Sequence, residues 1–215
     1  LPSFEEIENP NSNLASEIYS ADSVLIGKFY VNNRSNVSFD QLSPWLEKAL
    51  ISTEDKRFYE HSGIDIFRTF KAVFTLGQDG GGSTITQQLA KNLFPRKRYW
   101  FGSILINKWR EILTALRIEK VYTKNEILNL YLNTVPFSDN IYGIEVACHR
   151  FFETTPKDIK PEEAAVLVGM LKGNYIYHPK LFPDRALARR NVVLDLMVKH
   201  DFMKKDVCER LKKLP

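Results

Sequence analysis

Cysteine is nearly missing from this chain: Cys148 and Cys208 are the only two. They lie far apart and form neither a zinc-ligand spacing nor a CxxC motif, which excludes a zinc module and a dithiol oxidoreductase. Both fall in apolar, helical contexts and are expected as buried thiols. No apolar run reaches the roughly eighteen residues that a membrane-spanning helix needs, and no signal peptide opens the chain. If the protein is held at a membrane, the expectation is that its anchor has been cut away or that the contact is peripheral. The glycines Gly80, Gly81 and Gly82 are not followed by GKS or GKT, so this is not a nucleotide-binding phosphate loop. There is no internal repeat and no low-complexity tract, which excludes a solenoid. Acidic residues are absent from one long stretch, Lys91 to Arg110. That stretch holds Lys91, Arg96, Lys97, Arg98, Lys108 and Arg110, a local positive field suited to an anionic ligand or an anionic membrane surface.

What is present can build a core. Of the 215 residues, 44% are hydrophobic and 12% aromatic, so the chain is not a disordered one. The net charge of +4 says little by itself; its clustering says more.

The stretch Ser52–Asp65 packs Glu54, Asp55, Lys56, Arg57, Glu60 and His61 among Phe58, Tyr59 and a closing Gly63. On a helix, Glu54, Phe58 and His61 share one face. A carboxylate beside two rings is partly desolvated, which raises its pKa towards a value useful for proton transfer. The alternative is a solvated, charged helix anchored by Phe58.

Taken in order, the chain predicts mostly helix with a small β piece at its start. Leu1–Ser16 reads as an extended lead-in. Glu17–Tyr19 and Val24–Val31 read as a β-hairpin around Ala21-Asp22-Ser23. Ser43-Pro44 reads as an N-cap with proline at the first helical position, ahead of the apolar stripe Trp45, Leu46, Ala49 and Leu50. That helix is expected to end near Glu54. Ile64–Leu76 carries Phe67, Phe70, Val73, Phe74 and Leu76, the pattern of a core helix or of one that dips into a bilayer surface. The triple glycine is a flexible loop, and Thr84-x-x-Gln87 then fits a capping box. A glycine loop running into a helix N-terminus exposes backbone N–H groups to an anion. Thr84, Gln87, Gln88 and Lys91 fall within two turns of that start.

Pro95–Ile106 reads as a basic, aromatic connection, and Asn107 opens a long helix through Ile118. Thr123-x-x-Glu126 is a second capping box, followed by Ile127, Leu130 and Tyr131 as an apolar stripe. Pro136–Tyr142 reads as a loop. Glu145–Phe152, a helix from Pro161 ending at Gly173, and a helix capped by Asp184 and running to Lys199 follow. In the last of these, Val192, Val193, Leu196 and Met197 are expected inward. Lys204–Lys213 is a final basic helix.

Three stretches resemble the motifs of the peptidoglycan glycosyltransferases (glycosyltransferase family 51). EDxxFxxHxG is complete as Glu54, Asp55, Phe58, His61 and Gly63. GxSTIxQQLxKN is matched from Gly81/Gly82 and Ser83 to Lys91 and Asn92. RKxxE is matched as Asn107, Lys108 and Glu111, with Asn where Arg is usual. The ILNLYLN and GIEVA stretches also look like the family, and the resemblance covers nearly the whole chain. Two departures stand out. Asn107 removes a charge from the third motif, leaving Lys108 and Arg110, with Arg96 or Arg98 as alternatives for the missing arginine. Phe151-Phe152-Glu153-Thr154 stands where the family often has YFGK, so that lysine is absent.

The resemblance implies a mainly α, lysozyme-like helical domain with a small membrane-facing jaw and an N-terminal β-hairpin. The hairpin and lead-in would occupy residues 1–35 and the glycosyltransferase domain 36–215, with a jaw near 64–80 and 95–107. It implies a reaction: polymerisation of lipid II by inverting β-1,4 transfer, with release of undecaprenyl pyrophosphate. Glu54 would be the general base and Glu111 a second essential carboxylate. Lys91, Arg96 or Arg98, Lys108 and Arg110 would hold the pyrophosphate, with Ser83, Thr84, Gln88 and Asn92 adding neutral hydrogen bonds. Asp55, Phe58, His61 and Gly63 would shape the site.

No cofactor is required, and a divalent cation (Mg2+ or Mn2+) is an accessory that no ligand cluster demands. Partners would be lipid II, the lipid-linked glycan, the outer face of the bacterial cytoplasmic membrane and other cell-wall synthesis proteins, with no nucleic acid. The resemblance also implies a class A penicillin-binding protein, with a membrane helix before Leu1 and a transpeptidase domain after Pro215. This chain has no SxxK, SxN and KTG set and is not expected to bind penicillin covalently. Two rivals remain: a muramidase-like hydrolase, which would not need the basic cluster, and a non-catalytic lipid II-binding module.

Overall fold

The computed structural model describes residues 1–10, 36–67, 82–100, 102–138 and 141–215, with the backbone of Ser16–Tyr19 and Leu25–Phe29. The chain forms two compact units, one from Leu1–Asn11 and Thr53–Tyr131, the other from Ser12–Ser52 and Leu132–Pro215. No described helix is long and apolar enough to cross a membrane. The aromatic helix expected over Ile64–Leu76 lies largely outside the described residues. So does most of the 64–80 part of the expected jaw.

In the first unit, Ser3 and Glu6 form a reciprocal capping box. Ser3 Oγ accepts the Glu6 N–H at 3.1 Å, and Glu6 Oε2 accepts the Ser3 N–H at 2.7 Å. It starts a short helix, α1 (Phe4–Glu8), where the asparagine- and proline-rich composition suggested an extended lead-in. Ile7 is buried, and the Tyr122 hydroxyl donates to its carbonyl at 2.8 Å. The hairpin, which belongs to the second unit, exists as expected: β1 (Ser16–Tyr19) pairs antiparallel with β2 (Leu25–Phe29). Helix α2 (Pro44–Glu54) begins after Ser43, whose Oγ accepts the Trp45 N–H, and ends on Glu54.

Helix α3 (Ile85–Leu93) packs along α4 (Ser103–Val121). The long helix starts four residues before Asn107 because Gly102, left-handed at φ 66°, turns the chain into it. Its first turn exposes Ile104 and Leu105, which blurred its helical stripe in the sequence. The buried face runs Asn107, Glu111, Thr114, Ala115 and Ile118, polar at one end and apolar at the other. Against Ala115 lies Gly63, at φ 89°. A Cβ there would sit 3.1 Å from the Ala115 carbonyl oxygen and 3.2 Å from Glu119 Cγ, so the motif's glycine is a close-approach residue. Helix α5 (Lys124–Thr134) follows the expected Thr123–Glu126 capping box, with both side chains engaged.

In the second unit, Asn133 clamps an outlying strip of chain: its amide bonds both the N–H and the C=O of Val37, at 3.0 and 2.9 Å. Pro136–Tyr142 is not a plain loop but carries two short paired strands, β3 (Pro136–Ser138) and β4 (Ile141–Tyr142). Helices α6 (Ile144–Phe152), α7 (Pro161–Met170), α8 (Pro183–Lys199) and α9 (Lys205–Lys212) complete the unit. The α7 helix stops at Met170, before Gly173. Phe182, not Asp184, is the N-cap of α8, because Pro183 takes the first helical position and Asp184 points outward. On α8, Val193, Leu194 and Met197 are buried while Val192 is exposed, so the apolar stripe is rotated by one residue from the expectation.

Candidate active site

Glu54 is the last residue of α2 and is only part-buried. The chain then leaves the helix. The Phe58 N–H bonds the Asp55 carbonyl at 2.9 Å and the Glu60 N–H the Arg57 carbonyl at 2.8 Å, which makes turns of 56–60. Glu54, Phe58 and His61 therefore do not share a helical face, contrary to the spacing argument. Instead His61 turns onto the side chain of Asp55, with the Phe58 ring edge-on to it.

The Asp55 carboxylate is 1% exposed and accepts from two directions. One is the Ile85 N–H at 3.1 Å, and the other is His61 Nε2, 3.0 and 3.1 Å from its two oxygens. His61 Nδ1 accepts the Gly63 N–H at 3.2 Å, which assigns the ring proton to Nε2, against Asp55. Phe58 is fully buried, edge-on to the His61 ring, with the Lys124 ammonium 4.4 Å from its ring centre. Lys124 also bonds the His61 carbonyl and Glu119, and Glu119 takes the Thr86 hydroxyl at 2.6 Å. Asp55, Phe58, His61 and Gly63 thus brace the turn that follows Glu54.

The start of α3 corrects a second expectation. Thr84 is its N-cap, accepting the Gln87 N–H at 3.2 Å, but its hydroxyl also donates to the Gly63 carbonyl at 2.7 Å and is fully buried. With Ile85 bonded to Asp55, this N-terminus already carries an anion from the chain itself. Among the described residues, the Ile85 and Gln87 N–H groups at this end are taken up by the chain itself, and the Thr84 hydroxyl is spent on Gly63. Gln87 does not close the box either. It is buried, its Nε2 reaching the Gly63 carbonyl and its Oε1 accepting Lys108 Nζ at 3.0 Å. The next residue, Gln88, donates from Nε2 to Glu54 Oε2 at 2.8 Å. Lys91 is exposed and Asn92 part-exposed further along α3.

On α4, Lys108 Nζ is held by Ser83 Oγ at 2.8 Å, by Gln87 Oε1, and by Glu111 Oε2 at 3.5 Å. Burial lowers the Lys108 pKa; Glu111 opposes that, while Arg96 and Lys91 add to it. Glu111 is 7% exposed, and its other oxygen accepts Arg96 Nε at 2.7 Å, a bond that raises the Arg96 pKa. Arg96 is therefore the arginine that joins this cluster, and Arg98 points to solvent. Asn107 is buried and pins the basic loop onto α4: it accepts the Lys97 N–H at 3.0 Å and donates to the carbonyls of Lys97 and Ser103 at 2.8 and 2.7 Å. Its oxygen also receives Arg110 at 3.2 Å. A small cleft opens here between α3 and α4, lined by Phe94, Arg96, Asn107, Arg110, Glu111 and Thr114.

A carboxylate beside α3 and a cation set between α3 and α4 thus sit in one unit, tied to two consecutive glutamines. A family model described as transglycosylase matches residues 22–198. The chain belongs to the transglycosylase family. It is 39% identical over 209 residues to penicillin-binding protein 1A of Escherichia coli, covering 94% of this chain and 24% of that protein. It is 38% identical over 220 residues to penicillin-binding protein 1A/1B of Bacillus subtilis, covering 99% and 23%. The chain thus spans about a quarter of the length of these relatives. Among solved structures it resembles penicillin-binding protein 1A from Haemophilus influenzae, with a TM-score of 0.52 and 22% identity over 95% of this chain and 20% of that one. That likeness bears out the mainly helical, lysozyme-like fold class.

In this transglycosylase chain the described residues hold one group of three potential metal ligands within reach of one another, Asp195, Cys208 and Glu209, all in the second unit. The Lys212 ammonium lies 2.6 Å from Asp195 and 3.4 Å from Glu209 and already pairs with both carboxylates. Glu153, in the altered fourth stretch, is the left-handed C-cap of α6, also in the second unit. Tyr131 went unnoticed as a site neighbour because it reads as one more apolar residue among leucines. The signal was its hydroxyl, which needs a partner when buried. That partner is Gln88, whose Oε1 accepts from Tyr131 at 3.0 Å.

Proposed function

We propose that this chain is a peptidoglycan glycosyltransferase that polymerises lipid II at the outer face of the bacterial cytoplasmic membrane. The acceptor's sugar 4-hydroxyl attacks C1 of the lipid-linked donor glycan. The C1–O bond to pyrophosphate breaks, the electron pair leaves with undecaprenyl pyrophosphate, and the hydroxyl proton passes to Glu54. A single displacement with one carboxylate as base inverts the α-linked donor to a β-1,4 product. Lys108, Arg96 and Arg110, with Lys91 at the rim, neutralise the charge growing on the pyrophosphate. Glu111 holds Arg96 and Lys108 in place for that task. Other cell-wall synthesis proteins are partners of this reaction, and a divalent cation is at most an accessory to it.

The observation that carries this reading is the pairing of Gln88 with Glu54 and of Gln87 with Lys108. Adjacent residues of α3 thus hydrogen-bond a base candidate from the end of α2 and a cation candidate from α4, which supports a shared site. A hydrolase acting on finished glycan has no pyrophosphate and needs no such cations. The test is incubation of the chain with fluorescent lipid II in detergent micelles, resolved on a gel that separates glycan lengths. A ladder is the expected result. Shortening of added glycan strands would replace this reading with a hydrolase, and lipid II binding without a ladder would replace it with a binding module.

A further inference from the structure

Tyr131 is fully buried towards the end of α5, beside the equally buried Ile127 and Leu128. Phenylalanine would fill that space as well. The hydroxyl has a task, however: it donates to Gln88 Oε1 at 3.0 Å while the other end of the same amide, Nε2, donates to Glu54 Oε2 at 2.8 Å. A primary amide has one accepting and one donating end, so partners at both ends fix its orientation. Turned over, the amide would set its oxygen against the Glu54 carboxylate, two acceptors face to face. Removing the Tyr131 hydroxyl would leave the Gln88 oxygen without that donor and the side chain free to change rotamer.

We propose that Tyr131 is a positioning residue for glycosyl transfer: through Gln88 it holds the Glu54 carboxylate in the orientation from which that group takes up the acceptor's proton. The proposal rests on Glu54 being the base. The link moves no proton of its own. Burial, with the Glu54 charge adding, raises the phenol's pKa well above its ordinary value, so the hydroxyl remains a donor across the working range. It is also a long-range link in sequence, with partners 43 and 34 positions apart along the chain, so it forms only in the folded unit.

The test compares Tyr131→Phe, Gln88→Ala, the double variant and Glu54→Gln in lipid II polymerisation. It also follows the side-chain amide signals of Gln88 by 15N NMR. Tyr131→Phe is expected to lower kcat about tenfold with KM within about twofold of the wild type, the split given by loss of an interaction that matters only in the transition state. Gln88→Ala is expected to do the same, and the double variant no worse, because either change cuts one link. The Gln88 amide protons should move towards free-amide positions in Tyr131→Phe.

Wild-type kcat for Tyr131→Phe beside an inactive Glu54→Gln would overturn the proposal and leave the base in place. So would multiplying losses in the double variant, or an unmoved Gln88 signal. Full activity of Glu54→Gln would instead remove the base itself, and the proposal with it.

Discussion

The Asp55 carboxylate accepts the Ile85 backbone N–H at 3.1 Å, so a side chain from the turn after α2 closes the N-terminus of α3. With His61 on both of its oxygens, Asp55 fastens the Glu54 turn to the helix that carries Gln87 and Gln88. Replacing it with alanine leaves a buried N–H and His61 without their acceptor. Asp55→Ala is expected to destabilise the chain by about 2–3 kcal/mol, read as a lower urea midpoint. A midpoint within error of the wild type would show that this junction carries no weight.

Lys108 gives a pH prediction with a definite sign. Its pKa is lowered, chiefly by burial, so it loses its charge at a lower pH than a surface lysine does. The unfolded chain binds this proton more tightly than the folded one. Stability from this group therefore rises with pH in the window between its folded pKa and the ordinary lysine value of 10.5. Affinity for the pyrophosphate goes the other way, since the cation is lost over the same window. The KM for lipid II should climb with rising pH across that window in the wild type and stay flat to a higher pH in Lys108→Arg, whose guanidinium does not titrate there. Identical profiles would remove Lys108 from substrate binding.

Arg96 and Arg98 stand two apart in one basic loop, yet only Arg96 reaches Glu111. Arg96→Ala should raise KM about tenfold and Arg98→Ala less than about twofold, the contrast between a charge-assisted contact and a solvated one. Equal effects would mean that loop charge, and not the Glu111 pair, matters.

Much of the helical framework was legible from capping signals: Ser43-Pro44, Thr84 and Thr123-x-x-Glu126 all mark true starts. Ser3-x-x-Glu6 carries the same signal and marks a start where the composition suggests an extended lead-in. The site was legible as a set of residues and not as an arrangement. Glu54, Phe58 and His61 have helical spacing, but the chain turns after Glu54, and spacing alone does not separate the two. Thr84 and Asp55 have the chemistry to serve a ligand or the scaffold. Which they serve depends on Gly63 and Ile85 coming within hydrogen-bond reach, a tertiary fact. Tyr131 shows the converse, a residue with the pattern of core and the contacts of a site.

Asn107 illustrates the same limit. From the sequence it is a missing charge; in the fold it is a buried clamp on the basic loop. Asn107→Ala should speed tryptic cleavage after Lys97 or Arg98 and raise the KM for lipid II several-fold. Asn107→Arg, which restores the family's usual residue, is expected to lower activity, because the site is 3% exposed and its hydrogen bonds are lost. Higher activity in Asn107→Arg would show that charge at this position outweighs the clamp.

The most direct measurement compares Glu54→Gln with the wild type, with lipid II binding and polymerisation followed on the same samples. The substitution is nearly isosteric and leaves an amide that cannot accept the proton. Binding should persist within about threefold while the glycan ladder disappears, a rate loss of about a hundredfold or more. A ladder from Glu54→Gln at a rate near the wild type would contradict general-base catalysis by Glu54.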